Sequence, residues 1–396
     1  MLNDQVIEQL TEEIVRRIER VNTFTLKKIG EVLAEIGDMP PARAYELAMI
    51  LKYGGDYDKI VKELAKMTNL NEKEILDIFE KVAKKNLAFA QQFYEYRGMK
   101  YIPYEKNIAL QEQVRAIAKI TQDTYRNMSN SLGFVRTKNG KKVFTPLAQA
   151  YQEAIDDGVT ALIQGKDSFN SVLNKTVREL SGSGIKTIEW DTGYHRRLDS
   201  SVRMNLRGAL RDFSMTLQQQ FGEEFGADGV EISVHENPAP DHAEVQGHQF
   251  SNEEFDKFQN NQDSHDYNGR LYTAEYHGHD RRSIGQLNCY HYIFNIVLGI
   301  SKPQYTEKKL KEINDKNNKG FMLDGKHYTN YEGLQMQRKL ETAIRRQKDR
   351  QIMAKASNDE ETEQLATQKL TYLTNKYFEL SQKSGLPTKV NRLNMR

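Results

Sequence analysis

Imidazole and thiol groups are concentrated in one stretch of this 396-residue chain. Seven of its nine histidines, and its only cysteine, Cys289, fall between His235 and His291. Neutral imidazole and thiolate are common zinc ligands. Cys289 and His291 are two residues apart, a spacing that puts both on one side of an extended strand. His235 and His242 lie in a loop stiffened by Pro238 and Pro240. His235, His242, Cys289 and His291 are therefore the candidate metal ligands, and zinc is the one candidate cofactor. The chain has no C-x-x-C pair, and Pro238 follows His235-Glu236 too closely for an H-E-x-x-H helix. The metal-free alternative is hydrogen bonding, with Asp241, His242 and His291 tying backbone across a loop-rich fold. The residues by themselves favour this second reading, in which no cofactor is needed. A Cys289 nucleophile served by His291 or His242 is a third chemistry. The apolar run IFNIVLGI at 293–300 argues instead for a buried, inert thiol. His277 and His279 fall in a polar loop and read as solvated. A glycine-rich phosphate loop, a paired-carboxylate signature and a G-x-S-x-G elbow are all missing.

The elements that must carry these groups are mostly helices. Val6, Ile7, Leu10, Ile14, Ile18 and Val21 recur at helical steps through 1–36, and Gly37 with Pro40-Pro41 ends that run. Further helices are expected at 42–55, at 57–67, and from Asn71, an N-cap with Glu74 three residues on, to an aromatic end closed by Gly98. Another follows at 105–132. Asn139-Gly140 between two β-prone arms is a hairpin signal, because a type I′ turn needs positive φ at both central positions. Helices at 146–164 and 168–181, the second capped by Asp167, lead to a strand in IKTIEW. A helix at 194–221 buries Leu198, Val202, Leu206, Leu210 and Leu217, and VEISV (230–234) is a strand delivering His235. The run at 293–300 is a buried strand or the start of a buried helix. A helix near 306–316, a hairpin at Asp324-Gly325, a long helix at 331–355 and a last helix ending near Ser384 complete the chain. The tail after Ser384 is expected to be loose in isolation.

Totals narrow the function classes. A net charge of +2 means that any nucleic-acid contact must come from a local patch. Between Lys302 and Lys355 there are 14 Lys and Arg against 7 Asp and Glu, so that stretch is such a patch. Arg196, Arg197, Arg203 and Arg207, with Arg345, Arg346, Lys348 and Arg350, are the candidate partner- or DNA-facing cations; a solvated helix face is the plain alternative. One cysteine excludes an internal disulfide and fits a reducing compartment. No run of 18 apolar residues predicts a membrane span, and the first residues lack a secretory signal's pattern.

The stretch VEISVHENPAPDHAEVQGHQF, followed by Gly285, Asn288-Cys289-Tyr290-His291 and LGIS, resembles the phage minor capsid protein family (minor capsid protein 2 type), related to MuF-type head proteins. In that family a strand enters a histidine-containing loop, a Pro-x-His-Ala segment follows with a glycine soon after, and a G-x-x-N-C-x-H segment comes later. Pro240, Asp241, His242 and Gly247, then Gly285, Asn288, Cys289 and His291, occupy those places. Gly193, Arg197, Leu198, Asp199, Val202 and Arg203 fit the preceding helix, and the basic helix after Tyr331 fits the closing one. The resemblance covers roughly 185–355. Tyr290 and Ala239 stand where the family often has arginine, so no arginine role is carried over there.

The resemblance implies a structural, non-enzymatic protein of a tailed-phage head. It would associate with portal and major capsid proteins and with packaged DNA, reside in the virion, and pass through the host cytoplasm during assembly. The rival class is a metal-dependent hydrolase, a nuclease or peptidase, centred on the His/Cys stretch. The expected fold is α+β and mainly α-helical: a helical N-terminal region (1–132), a hairpin and helical connector (133–192), a small α/β, MuF-like module with the His/Cys loops (193–304), and basic C-terminal helices (305–396).

Overall fold

A computed structural model of the protein describes residues 4–40, 43, 61–66, 72–129, 131–188, 193–285 and 289–393. It is 66% helical with small antiparallel sheets, a mainly-α α+β fold as expected. The chain forms two compact units. One gathers Met1–Glu12, Asn71–Thr121 and Asn205–Leu334; the other gathers Glu13–Leu70, Gln122–Met204 and Gln335–Arg396. The divisions at 12/13, 121/122, 204/205 and 334/335 fall within helices.

In the first unit, α2 (Glu72–Tyr96) packs on the later part of α6 (Leu198–Phe225). Ile75, Ile78, Phe79, Val82 and Leu87 are buried, as their spacing required. Phe79 meets Phe213 edge-on at 5.5 Å, and Phe93 stacks on Phe225 at 4.7 Å. The amide oxygen of Asn86 accepts from Ser214 and Gln218 at 3.0 and 2.7 Å, so this buried polar group is satisfied. Gly98 closes α2 at φ 65°, with Met99 N–H donating to Tyr94. The same unit holds α3 (Ile108–Ser129) as far as Thr121.

A three-stranded antiparallel sheet lies in this unit, with β5 (Gly229–Ile232) between β11 (Ile293–Ile296) and β6 (Gln249–Ser251). The ambiguous run at 293–300 is thus a strand followed by a turn at Gly299. Val230, Ile232, Val245, Phe250, Phe255, Phe258, Tyr272 and Ile284 form the core under the sheet, and Cys289 and Ile293 pack against it. Between β5 and β6 the chain makes one helical turn, α7 (Pro240–Ala243), and after β6 comes α8 (Asn252–Gln259), capped by the Ser251 hydroxyl. Short two-residue strands fill 264–280: β7 (Ser264–His265), β8 (Leu271–Tyr272), β9 (Glu275–Tyr276) and β10 (His279–Asp280). Helix α9 (Glu307–Lys319) starts at Thr306, and a hairpin turns at Asp324-Gly325 with φ of 50° and 77°.

In the second unit, β1 (Leu132–Lys138) and β2 (Lys141–Pro146) form the expected hairpin, with Asn139 and Gly140 at φ 49° and 75°. The sheet order is β2-β1-β3-β4, with β3 at Lys186–Ile188 and β4 at His195–Arg197. Helix α6 therefore begins at Leu198, not at 194, because His195–Arg197 finds ladder partners on β3. Helices α4 (Leu147–Gln164) and α5 (Lys166–Ser183) pack beside this sheet. Gly165 precedes α5 and no side chain caps it; Asp167 sits inside the first turn, correcting its expected role as a cap. The unit also holds α1 (Asp4–Gly37) from Glu13 onward, α10 (Asn330–Ala356) from Gln335 onward, and α11 (Glu360–Ser384). Gly30 lets α1 and α10 touch, since a Cβ there would lie 2.8 Å from Met353 O. Residues 386–393 of the tail are not loose: Leu386 and Leu393 are buried, and Tyr377 accepts from Lys389 N–H at 3.0 Å.

Residues 61–66 are helical within the span expected for the third helix. Apart from Arg43, the expected helix at 42–55 lies outside the described residues, as does the Asn71 cap.

Candidate functional site

The His/Cys site is assembled from three short pieces. The first is α7, which starts at Pro240, a residue suited to a first helical turn because the N–H it lacks would be unsatisfied there. Its turn continues as Gln246 N–H donates to His242 O at 3.1 Å, and Gly247 then reverses the chain at φ 76°. A Cβ on Gly247 would lie 2.5 Å from a Leu310 methyl and 2.9 Å from a Val234 methyl. The second piece is the segment leading into β11. Ser233 N–H donates to Tyr292 O at 2.8 Å and Tyr292 N–H to the Ser233 hydroxyl at 2.7 Å, extending the β5–β11 pairing backwards. Arg211 reaches Cys289 O at 3.4 Å, and the Arg207 guanidinium lies 4.7 Å from the Tyr290 ring centre. The third piece is Arg281-Arg282. Arg282 grips the Asp241 carboxylate with Nε (2.8 Å) and Nη2. Arg281 holds Asp241 O at 2.8 Å and Glu244 at 3.1 Å.

These pieces bring His242, Cys289 and His291 together. Cys289 Sγ lies 3.7 Å from His242 Nδ1 and 3.4 Å from His291 Nδ1. All three donor atoms lie within 4.8 Å of one another. His242 and His291 are buried and Cys289 is half-buried. The other ring nitrogens are also engaged. His242 Nε2 faces Arg282 O at 3.0 Å, and His291 Nε2 faces Gln246 Oε1 at 3.2 Å. That Gln246 oxygen also accepts from the backbone N–H of His235 at 3.2 Å. A backbone N–H can only donate, so the amide orientation of Gln246 is fixed, and His291 Nε2 must carry the proton. His242 Nε2 must carry one too, because a carbonyl only accepts. Both neutral rings therefore turn a bare Nδ1 lone pair toward the same sulfur.

Burial lowers the pKa of His242, with Asp241 and the Arg282 carbonyl opposing it. Burial also takes His291 well below its ordinary value, with His235 and His242 adding to the effect. Both rings are held in the neutral form at neutral pH. Such a triad can act as a hydrogen-bonded fastener between α7 and β11, or it can hold a soft cation.

His235, the fourth candidate ligand, lies tilted against His291 with ring centres 4.3 Å apart, while its Nδ1 meets Glu236 O at 3.0 Å. It lies beside the triad but outside the group of converging donor atoms. His277 and His279 are exposed, as expected. Gly285 holds φ 86° beside Met215, and Asn288 lies outside the described residues. Gln246, Arg281 and Arg282 were not singled out in the sequence. Gln246 sits one helical turn after His242, which is a usable signal; the two arginines follow an exposed loop and carry none.

The candidate partner-facing cations separate into two kinds. Arg345 is buried and Arg197 nearly so; they bond Asp199 at 2.5 and 3.2 Å, and Arg197 also reaches Asp349 at 2.9 Å. Arg203 bonds Glu19 at 3.4 Å, Arg196 lies over the Tyr194 ring, and Arg207 lies against Tyr290. Internal pairing occupies these side chains because each has an anion or aromatic face within reach. Arg346 is exposed, and Lys348 and Arg350 are half-buried.

Among the described residues, no helix is long and apolar enough to cross a membrane. No curated protein and no solved structure matches the chain. The model of one family, phage minor capsid protein 2, matches residues 2–379, through both compact units and the whole His/Cys site, and the chain therefore belongs to that family.

Proposed function

We propose that the protein is a structural, low-copy component of a tailed-phage head, joined to portal and shell during assembly and performing no turnover. The family match over 2–379 carries this reading. The His/Cys site fits it as a fastener: Asp241 is bound by Arg282, and both imidazole Nε2 atoms face structural acceptors. Contact with packaged DNA falls to Arg346, Lys348 and Arg350 on α10. The test is co-expression with portal and major capsid proteins, followed by purification of assembled heads. The protein is expected to sediment with the particles. Protein found only in the free fraction, with heads forming normally without it, would refute the proposal.

A further inference from the structure

We infer that His242, Cys289 and His291 bind a zinc ion through Nδ1, Sγ and Nδ1, pinning the α7 turn to the strand entry at β11. The observation behind this is a proton deficit. With both Nε2 atoms protonated, three electron-rich atoms meet at one half-buried point and share at most the single thiol proton. That proton can serve one Nδ1 only, so the other buried acceptor faces a sulfur lone pair. An unsatisfied buried acceptor costs about 1–3 kcal/mol, and sequences avoid it. A divalent cation removes the conflict by accepting all three lone pairs.

The spacing agrees with this. Tetrahedral zinc with Zn–S of about 2.3 Å and Zn–N of about 2.0–2.1 Å sets its sulfur and nitrogen ligands about 3.6 Å apart. The two sulfur–nitrogen distances here are 3.7 and 3.4 Å. Thiolate with imidazole is a donor set that favours zinc over magnesium or calcium. The outer contacts are those of a metal site as well, since each ligating ring donates its remote N–H to a fixed oxygen, from Arg282 and from Gln246. On binding, the Cys289 thiol loses its proton to solvent, and a fourth position remains for water. Nothing in this depends on the head-protein role, and failure of either leaves the other standing.

The experiment uses the full chain without an affinity tag. Metal analysis of the purified protein is expected to give close to one equivalent of zinc. After chelation, cobalt(II) titration is expected to saturate at one equivalent with a thiolate-to-cobalt charge-transfer band. Cys289→Ser should abolish that band. Gln246→Met should keep it while weakening cobalt binding about 10–100-fold, the usual effect of removing an outer-shell partner. A folded parent chain that takes up neither metal overturns the inference, as does cobalt binding without the thiolate band. Because both readings come from the parent chain, a variant that fails to fold does not obscure the answer.

Discussion

Gln246 shows how one side chain sets the chemistry of its neighbours. Its oxygen accepts from His235 N–H and from His291 Nε2, so it fixes which nitrogen of His291 is bare. The next residue makes that placement possible. Gly247 takes a left-handed φ in a space that a methyl group would share with Leu310 and Val234. Gly247→Ala should therefore combine the cost of a left-handed alanine, about 1–2 kcal/mol, with an overpacking cost of about 1–3 kcal/mol. Gly269→Ala provides the comparison, since Gly269 also has positive φ but nothing lies near its would-be Cβ. In urea denaturation the midpoint of Gly247→Ala should fall clearly further than that of Gly269→Ala. Equal midpoints would mean that the cavity around Gly247 relaxes freely.

At the level of elements, a buried ionic knot joins β4, the start of α6 and α10 within the second unit. Asp199 takes Arg197 and Arg345, Arg197 reaches on to Asp349, and Asn22 of α1 donates to Asp349 at 2.8 Å. Two carboxylates and two guanidiniums leave the knot neutral, which is what makes its burial tolerable. Burial alone would raise the Asp199 carboxyl, but Arg197 and Arg345 outweigh it and hold it down to about 2. Burial pushes Asp349 up, with Arg197 offsetting only part of that. A depressed carboxyl stabilises the fold above its unfolded value and loses that contribution as pH falls through its folded value. The Asp199 contribution should therefore be complete at neutral pH and fade between about pH 4 and pH 2. Asp349 works in the opposite sense, losing its contribution as pH rises through its folded value, so removing Asp199 isolates the acid-sensitive part. Asp199→Asn is expected to cost about 3–5 kcal/mol at neutral pH, the cost of breaking a buried pair. Its stability should also change less than the parent's between pH 4 and pH 2. Denaturation midpoints across that range provide the check, and parallel acid limbs in the two proteins would contradict the assignment.

For the whole molecule, a net charge of +2 leaves DNA contact to a local patch. Arg346 and Arg350 are four residues apart on α10 and share a face of that helix. If that face lies on packaged DNA, duplex affinity should fall steeply with salt. Arg346→Ala with Arg350→Ala should then reduce the slope of log affinity against log salt by about two, one for each phosphate contact removed. Affinity that does not respond to salt in the parent chain would remove DNA from the list of partners. Arg197→Ala is a poor probe of the same question, since its loss would unbalance the buried knot.

The sequence by itself determined the elements and the place of the chemistry. Helical spacing of Ile75 through Leu87 and of Leu198 through Leu217, the paired turn residues at 139–140 and 324–325, and the clustering of His and Cys all act through neighbours a few residues away. The family is legible for the same reason: its motif residues lie in short local runs. Tertiary structure alone decided which imidazoles meet Cys289, that His235 stands beside them, and that Arg197 and Arg345 turn inward. It also decided that His195–Arg197 is a strand, through a β3 partner that no local pattern announces. The pairs of Arg282 with Asp241 and of Arg345 with Asp199 join residues 41 and 146 apart in the chain. Which distant groups become neighbours depends on how helices and sheets pack, and local residue patterns do not encode that packing.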